Sequence, residues 1–391
     1  MKKVIFTSVY RDQTGYGQAG LDYIGALEQS GLDIVCKPVR LTQPSINKSY
    51  KSISHLESKD LNNIDCVIQY CLPHFFEYRA GIKNIGMFDW ETSGFGRSSW
   101  ANSCNLMDEI WVPCIQNKHA AISSGVKTKI NVVPHPYNIN KINEKTEPLN
   151  IPSIKNKCAF YFIGEFNLRK NIVGTIKSYF RAFTSNDDVV LIIKTNKGGM
   201  SPKELTATIS KNIEDIKNGM HLYNNKKLYP PIIVITEFLD DEKLLRLHRS
   251  CSVFISLSRG EGGCLPAYDA LAFGNPVIAS NYGVFPDLLY AQSDKYFDDG
   301  EFLNTGEIET GWLINGQLTP CFSPDSSMID LYTGKEDWFE PNLIDASKKL
   351  QDAYIKWRDG KLISMIKSCK ERLYDFSYEK IGRLMNEYIS N

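Results

Sequence analysis

The apolar positions of this chain fall into short runs whose period keeps changing. "KKVIFTS" is a β-branched run of strand length. A glycine-rich loop, "TGYGQAG" (Thr14 to Gly20), separates it from "LDYIGALEQSG", where apolar residues recur at helical spacing. "LDIVCKP", "DCVIQY", "NIGMFDW", "DEIWVP" and "KINVVPH" follow as further short strands with helices or loops between them. This alternation predicts a parallel sheet covered on both faces. The rhythm stops at "NINKINEKTEPLNIPSIKNK" (Asn138 to Lys157), which is polar, contains proline and reads as an interdomain linker. A second series then begins, with strands "CAFYFIGEF", "VVLIIKT", "IIVITEFL", "SVFISLS" and "NPVIAS" and helical patterns "NIVGTIKSYFRAF" and "DEKLLRLHRSC". The fold class predicted is α/β, with two doubly wound Rossmann-like domains in tandem. Residues 1–150 form the first, 151–375 the second, and 376–391 a closing helix, "FSYEKIGRLMNEYISN". From about Tyr290 to Pro341 the sequence is irregular and aromatic, and no periodicity assigns it an element.

Composition sharpens this picture. A chain of 391 residues is too long for one ordinary core and sufficient for two. Hydrophobic content of 42% and charged content of 23% are globular rather than disordered values. The formal net charge of +0 supplies no overall field toward nucleic acid or an anionic membrane, although a local basic patch is compatible with it. No apolar run reaches the ~18 residues of a membrane span, and "MKKVIFTSVYRDQ" reads as a first strand rather than a signal peptide. The ten cysteines are scattered, from Cys36 to Cys369, without a CxxC pair. That usage points to reduced, buried thiols and a cytoplasmic protein, with peripheral membrane association left open, rather than to a disulfide scaffold or zinc site. Asp–Asp pairs beginning at Asp187, Asp240 and Asp298 sit on loops or helix starts, where acids are common, and no metal site is expected from them.

Chemistry concentrates in "SRGEGGCLPAYDALAFGNPVIAS" (Ser258 to Ser280), directly after a buried-strand run. Pro266 suits the first turn of a helix, Ala267 to Phe273 read as that helix, and Gly274 with Pro276 ends it. Glu261 is then on the loop after the strand and Asp269 about one turn into the helix. In doubly wound folds ligands bind outside the carboxyl ends of the strands. Free N–H groups of the Gly262–Gly263–Cys264 turn and the helix N-terminus favour a phosphate. Carboxylates on either side can accept hydrogen bonds from sugar or ribose hydroxyls. The layout fits a nucleotide-sugar. A plain loop carboxylate and a partly exposed helix acid are the bland reading of the same pair.

The stretch resembles the Glu-x(7)-Glu motif of retaining GT-B glycosyltransferases of family 4, with Glu261 at the first acid and Asp269 in place of the second. "FIGEFNLRKNIVGTIKSYFRAF" resembles the family's strand–loop–helix that brings basic residues to the diphosphate. "GMFDWETSGFGRSSWANSCNLMDEIWVPCIQNKHAAISSGVKTKINVVPHPYN" resembles the end of its N-terminal domain, and "FSYEKIG" its closing helix. The resemblance runs from Asn84 onward. It implies two domains facing across a cleft, the first binding acceptor and the second the nucleotide-sugar, with the last helix crossing back to the first. It also implies that Glu261 contacts donor sugar hydroxyls and Asp269 the ribose. The backbone of Gly262, Gly263, Cys264 and Leu265 would line sugar and phosphates, while Arg169 and Lys170 would neutralise the leaving diphosphate.

Some positions depart from the family pattern. Its usual Arg after the strand is Glu165 here, so Arg169 is expected to take its place. Asp269 is one methylene shorter than Glu. "TGYGQAG" lacks the commonest Gly-Gly pair, so Gly15 or Gly17 is expected to let backbone approach phosphate. By the same resemblance Phe238 and Leu239 sit where the nucleobase packs. Lys194 and Thr195, at a strand end, could reach the diphosphate. Asp89 and Glu91 are candidate acceptor ligands or proton acceptors, for which hydrogen-bond reach of the acceptor hydroxyl is required. His135 is open to a structural or a functional role.

The expected activity is transfer of a hexose or pentose from a nucleotide-sugar to an unidentified acceptor hydroxyl. Retention would come by way of the leaving phosphate, without a cofactor or required metal, in glycan or polysaccharide synthesis. Three alternatives stay open. The basic segment Lys37 to Asp60 would suit a glycosyltransferase acting on a hydroxylated nucleic-acid base. A phosphorylase of the same fold would need pyridoxal phosphate. A non-catalytic nucleotide-sugar-binding protein is the third. Oligomeric state is not legible.

Overall fold

The computed structural model describes residues 2–12, 14–40, 53–96, 98–142, 145–290, 297–298, 301–302, 307–322 and 331–391. Of the basic segment Lys37 to Asp60, residues 41–52 lie outside these, as do several stretches of the irregular region after Tyr290.

The first domain contains β1 (Lys3–Ser8), α1 (Gly15–Gln29), β2 (Asp33–Pro38), α2 (Ser54–Glu57), β3 (Cys66–Tyr70), β4 (Lys83–Met87), α3 (Trp100–Asn105), β5 (Glu109–Val112), α4 (Ile115–Ser123) and β6 (Ile130–Val132). Its sheet has the order β2-β1-β3-β4-β5-β6, all parallel. The second domain starts with β7 (Cys158–Glu165), α5 (Ile172–Ala182), β8 (Val189–Asn196), α6 (Pro202–Met220), β9 (Ile232–Ile235), α7 (Asp241–Ser250), β10 (Val253–Ser256), α8 (Leu265–Ala272), β11 (Val277–Ser280) and α9 (Val284–Leu289). Short strands follow: β12 (Phe297–Asp298), β13 (Glu301–Phe302), β14 (Glu307–Ile308) and β15 (Gly311–Ile314). The chain then forms a ribbon of β16 (Gly316–Pro320) and β17 (Asp337–Pro341) and the helices α10 (Leu343–Arg358), α11 (Leu362–Tyr374) and α12 (Tyr378–Ser390). The second sheet runs β14-β15-β11-β10-β7-β8-β9, parallel except for the edge strand β14.

Central strands such as β3 and β10 are buried along their whole length, which is why they read as unbroken apolar runs rather than alternating ones. Strand order reverses around β1 in the first sheet and between β7 and β10 in the second. Loops diverge at such points and leave a crevice beyond the strand carboxyl ends. The two crevices face each other.

The closing helix lies on the first domain. Ile381, Met385 and Ile389 of α12 share a buried cluster with Val4, Phe6 and Tyr23. The approach is close: a Cβ on Gly382 would stand 2.2 Å from the Ala26 carbonyl oxygen, and one on Gly25 would stand 2.3 Å from the Tyr378 ring.

One expected element differs. "TGYGQAG" is not a loop but the first turns of α1, which begins at Gly15. Thr14 caps it, its Oγ1 accepting from Gly17 N–H at 3.1 Å. Glycine's low helix propensity is overridden by packing: a Cβ on Gly17 would meet the Asp12 carbonyl oxygen at 2.1 Å, and one on Gly20 the Ser8 hydroxyl at 2.4 Å. These glycines let the helix lie on the end of β1.

Candidate active site

Two loops at the second domain's reversal point carry the charged centre. One follows β7 and holds Arg169 and Lys170; the other follows β10 and holds Glu261. They are tied together, with Arg259 N–H donating to the Arg169 carbonyl at 2.8 Å and Arg169 Nη1 donating to the Gly260 carbonyl at 2.6 Å. Asn171 ends the first loop in a left-handed conformation (φ 52°) and caps α5 through Gly174 N–H. The next helix, α8, starts at Leu265 with Pro266 in its first turn, so the turn before it exposes free amides.

Glu261 is 2% exposed. Its carboxylate accepts from Lys170 Nζ at 2.7 and 2.9 Å and from Arg169 Nη1 at 3.2 Å. Burial favours the neutral acid, but the Lys170 ammonium and Arg169 guanidinium outweigh it and hold the carboxyl below its usual range. Arg169 Nη2 lies 3.5 Å from Glu91 Oε1, so this arginine links carboxylates from both domains.

The first domain supplies a facing cluster. Asp89 Oδ2 accepts from the Tyr70 hydroxyl at 2.8 Å, and His135 Nε2 lies 3.1 Å from the same oxygen without hydrogen-bond alignment. Tyr16 stacks on Tyr70 with ring centroids 4.4 Å apart. Burial raises the Tyr16 phenol well above its ordinary range, so it remains a donor. The Tyr16 hydroxyl, Asp89 Oδ1 and both ring nitrogens of His135 are buried without a hydrogen-bond partner. Buried polar atoms are nearly always paired, so four such atoms on one wall mark a place where a polar ligand completes the set.

Between these walls is a cleft of about 610 Å³. Its lining brings together the expected Gly15, Asp89, Glu91, Arg169, Lys170, Glu261, Gly262, Gly263, Cys264 and Leu265, and adds His135, Tyr16 and Glu165. The domains nearly touch here: a Cβ on Gly263 would stand 2.4 Å from His135 Nε2, and one on Gly262 would stand 2.7 Å from the Asp89 Cβ.

The remaining expected residues are placed elsewhere. Gly17 packs on the Val9 and Asp12 carbonyls of the loop after β1 and is not in the cleft lining. Phe238 is 82% exposed and Leu239 packs against the second domain's core; both follow β9, an edge strand two positions from β7, and neither is in the lining of this cleft. Lys194 shares a strand face with the core residues Val190 and Ile192. It is 7% exposed, and burial pulls its ammonium below the usual range. Thr195, beside it, is 1% exposed and outside the lining. Asp269 is likewise not in the lining. Its Oδ1, expected to meet ribose hydroxyls, accepts from the Tyr137 hydroxyl at 2.8 Å and from Lys141 Nζ at 3.1 Å. The interdomain segment that supplies Tyr137 and Lys141 occupies it.

His135 and Tyr16 carried only weak sequence signals, a histidine after a strand and a tyrosine between two glycines. Tyr332, whose hydroxyl donates to Glu91 Oε2 at 3.1 Å, carried none, because 241 positions separate the pair in the chain. Among the described residues no group of three or more His, Cys, Asp or Glu side chains could hold a metal ion, and no helix is long and apolar enough to cross a membrane.

Residues 143–300 match the sequence model of the family described as glycosyl transferases group 1. Solved structures resemble the whole chain. The E. coli trehalose-6-phosphate protein bound with UDP-2-fluoro glucose is 10% identical with a TM-score of 0.64, covering 100% of this chain and 99% of that one. Sucrose-phosphate synthase from Thermosynechococcus elongatus is 14% identical with a TM-score of 0.63, covering 100% and 98%. A glycosyltransferase from Rickettsia africae is 12% identical with a TM-score of 0.61, covering 100% and 98%. The sequence matches no curated protein significantly. At these identities the likeness shows the fold: the chain is a GT-B protein, two Rossmann-like domains across a cleft.

Proposed function

We propose that this chain is a glycosyltransferase that moves a sugar from a nucleotide-sugar to an acceptor hydroxyl, with retention at the anomeric carbon and without a required metal. The observation that carries the reading is the buried, ionised Glu261 held by Lys170 and Arg169 on the cleft floor, opposite a wall of unpartnered polar atoms. The family match over 143–300 supports it.

In this reading the donor diphosphate lies between the start of α1 at Gly15, the amides of Gly262 to Leu265, and the Arg169–Lys170 pair. Negative charge grows on the leaving oxygen as the glycosidic bond breaks, and the two cations stabilise it most at that moment. Glu261 accepts from the sugar hydroxyls, while Asp89, His135 and Tyr16 use their free atoms on the same sugar or on the acceptor. Glu261 is locked between two cations and is a poor nucleophile, so no covalent intermediate is invoked. The leaving phosphate oxygen takes the acceptor proton on the same face. Asp269 joins the site only if ribose hydroxyls displace Lys141.

A thermal-shift panel of UDP-, GDP- and ADP-sugars, run in EDTA, tests this. One donor at a hundred times its dissociation constant should stabilise the fold by about 2.7 kcal/mol. No shift with any donor, or a shift that requires manganese, contradicts the reading or its metal-free form respectively.

A further inference from the structure

The acceptor end of the cleft has a composition that selects among acceptors. Four carboxylates line the cleft, those of Asp89, Glu91, Glu165 and Glu261, against two cations, Arg169 and Lys170, among the described residues. Both cations are committed: Lys170 pairs with Glu261, and Arg169 with Glu261 and Glu91. On the side of the first domain the lining is Leu72, Trp90 and Trp100 with Tyr16, His135, Asp89 and Glu91, so it combines apolar surface with two carboxylates and carries no lysine or arginine among the described residues.

A segment of the second domain completes this end. Leu331 lines the cleft, and the Tyr332 ring lies 5.9 Å from that of Trp90. The segment is fixed on both sides. Ser93 N–H donates to the Asp337 carbonyl at 2.7 Å, and Asp337 N–H donates to Ser93 Oγ at 2.8 Å. On its own domain, Arg259 Nε reaches Glu340 Oε2 at 2.5 Å. Tyr332 therefore holds Glu91 in place, with Arg169 on its other oxygen.

We infer that the acceptor is an uncharged carbohydrate, and that Tyr332 is a positioning residue that selects it through Glu91. This rests on the glycosyltransferase reading. A hydroxyl of a neutral sugar can donate to Asp89 or Glu91 while its C–H face packs on the apolar wall. A phosphorylated sugar or a nucleic-acid strand would bring a second anion to fixed carboxylates, with no uncommitted lysine or arginine among the described lining residues to receive it. Specificity of this kind comes from repulsion as much as attraction.

Tryptophan emission tests the inference, because Trp90 and Trp100 border the site and report occupancy without turnover. The full chain is titrated with glucose, mannose, galactose and N-acetylglucosamine, with their 6-phosphates, and with a short single-stranded oligonucleotide. At least one neutral sugar should saturate at a concentration tenfold or more below its 6-phosphate and quench when the oligonucleotide does not. Glu91→Gln should shrink that ratio, and Tyr332→Phe should weaken the neutral sugar several-fold while UDP binding stays unchanged; loss of packing alone would not move the ratio. A 6-phosphate or the oligonucleotide binding as tightly as the neutral sugars overturns the inference, as does binding by none of them. Nucleoside diphosphate release, followed in parallel, judges sugar transfer separately: no release from any donor sinks the transfer reading and leaves the fluorescence ratio to judge the acceptor class.

Discussion

At the scale of single residues, charge balance decides how the cleft behaves. Glu261→Gln keeps the side chain's shape but removes the anion that Lys170 and Arg169 surround. It should lower turnover and weaken a nucleotide-sugar roughly ten- to a hundredfold while leaving the bare nucleoside diphosphate nearly unchanged, since a charged hydrogen bond is worth on the order of 1.5–3 kcal/mol. Calorimetric titration with both ligands checks it, and equal weakening of the two would move Glu261 from the sugar to the phosphates. His248 gives a pH prediction. It is 1% exposed, bonds the Tyr161 hydroxyl through Nδ1 at 2.7 Å, and has Asp269 Oδ2 3.9 Å from Nε2, with Lys141 nearby. Burial lowers its pKa to about 4, against the pull of Asp269. The folded state thus binds this proton less readily than the unfolded chain, whose histidine titrates near ~6.5. Its contribution is present above that value and is lost as pH falls toward 4. Urea unfolding at pH 7 and pH 5 should show a larger stability loss in the wild type than in His248→Gln; an equal loss in both would place the sensitivity elsewhere.

At the scale of elements, the sequence was clearest where burial on both faces leaves a continuous apolar run. The central strands and the helix after Glu261 were legible for that reason, and the Arg169–Lys170 loop was legible because cations before a helix need an anionic partner. The start of α1 was not, because glycine's propensity says loop while close packing says helix, and packing depends on Ser8 and Asp12 being underneath. This yields a paired prediction. A Cβ on Gly15 would have nothing within 4 Å, whereas one on Gly17 would meet a carbonyl oxygen at 2.1 Å. Gly17→Ala should therefore lose roughly 1–3 kcal/mol of stability through overpacking, while Gly15→Ala should fold normally and weaken the donor by crowding the helix start. Equal melting temperatures for the two variants would contradict this account of the helix.

At the scale of the whole molecule, residues from both domains meet at the cleft. Asp89 and Glu91 face Arg169 and Glu261 across a gap that leaves no room for a Cβ on Gly262 or Gly263. Asp287 of the second domain accepts from Ile115 N–H at the start of α4 in the first, at 2.6 Å, and α12 returns to α1. Such meetings are what one sequence hides most completely. Lys141 taking Asp269 and Tyr332 taking Glu91 join residues more than a hundred positions apart, and no local pattern predicts either. The motif around Glu261 pointed to one wall of the cleft; the other wall came from the fold. The central claim is that these walls together transfer sugar, and nucleoside diphosphate release from a nucleotide-sugar, measured for the wild type and for Lys170→Ala, tests it most directly. The account predicts release by the wild type and a loss of at least a hundredfold in kcat for Lys170→Ala, with the fold intact by circular dichroism, because the ammonium stabilises charge that grows as the diphosphate leaves. No release from any donor, or unchanged kcat in the variant, would contradict it.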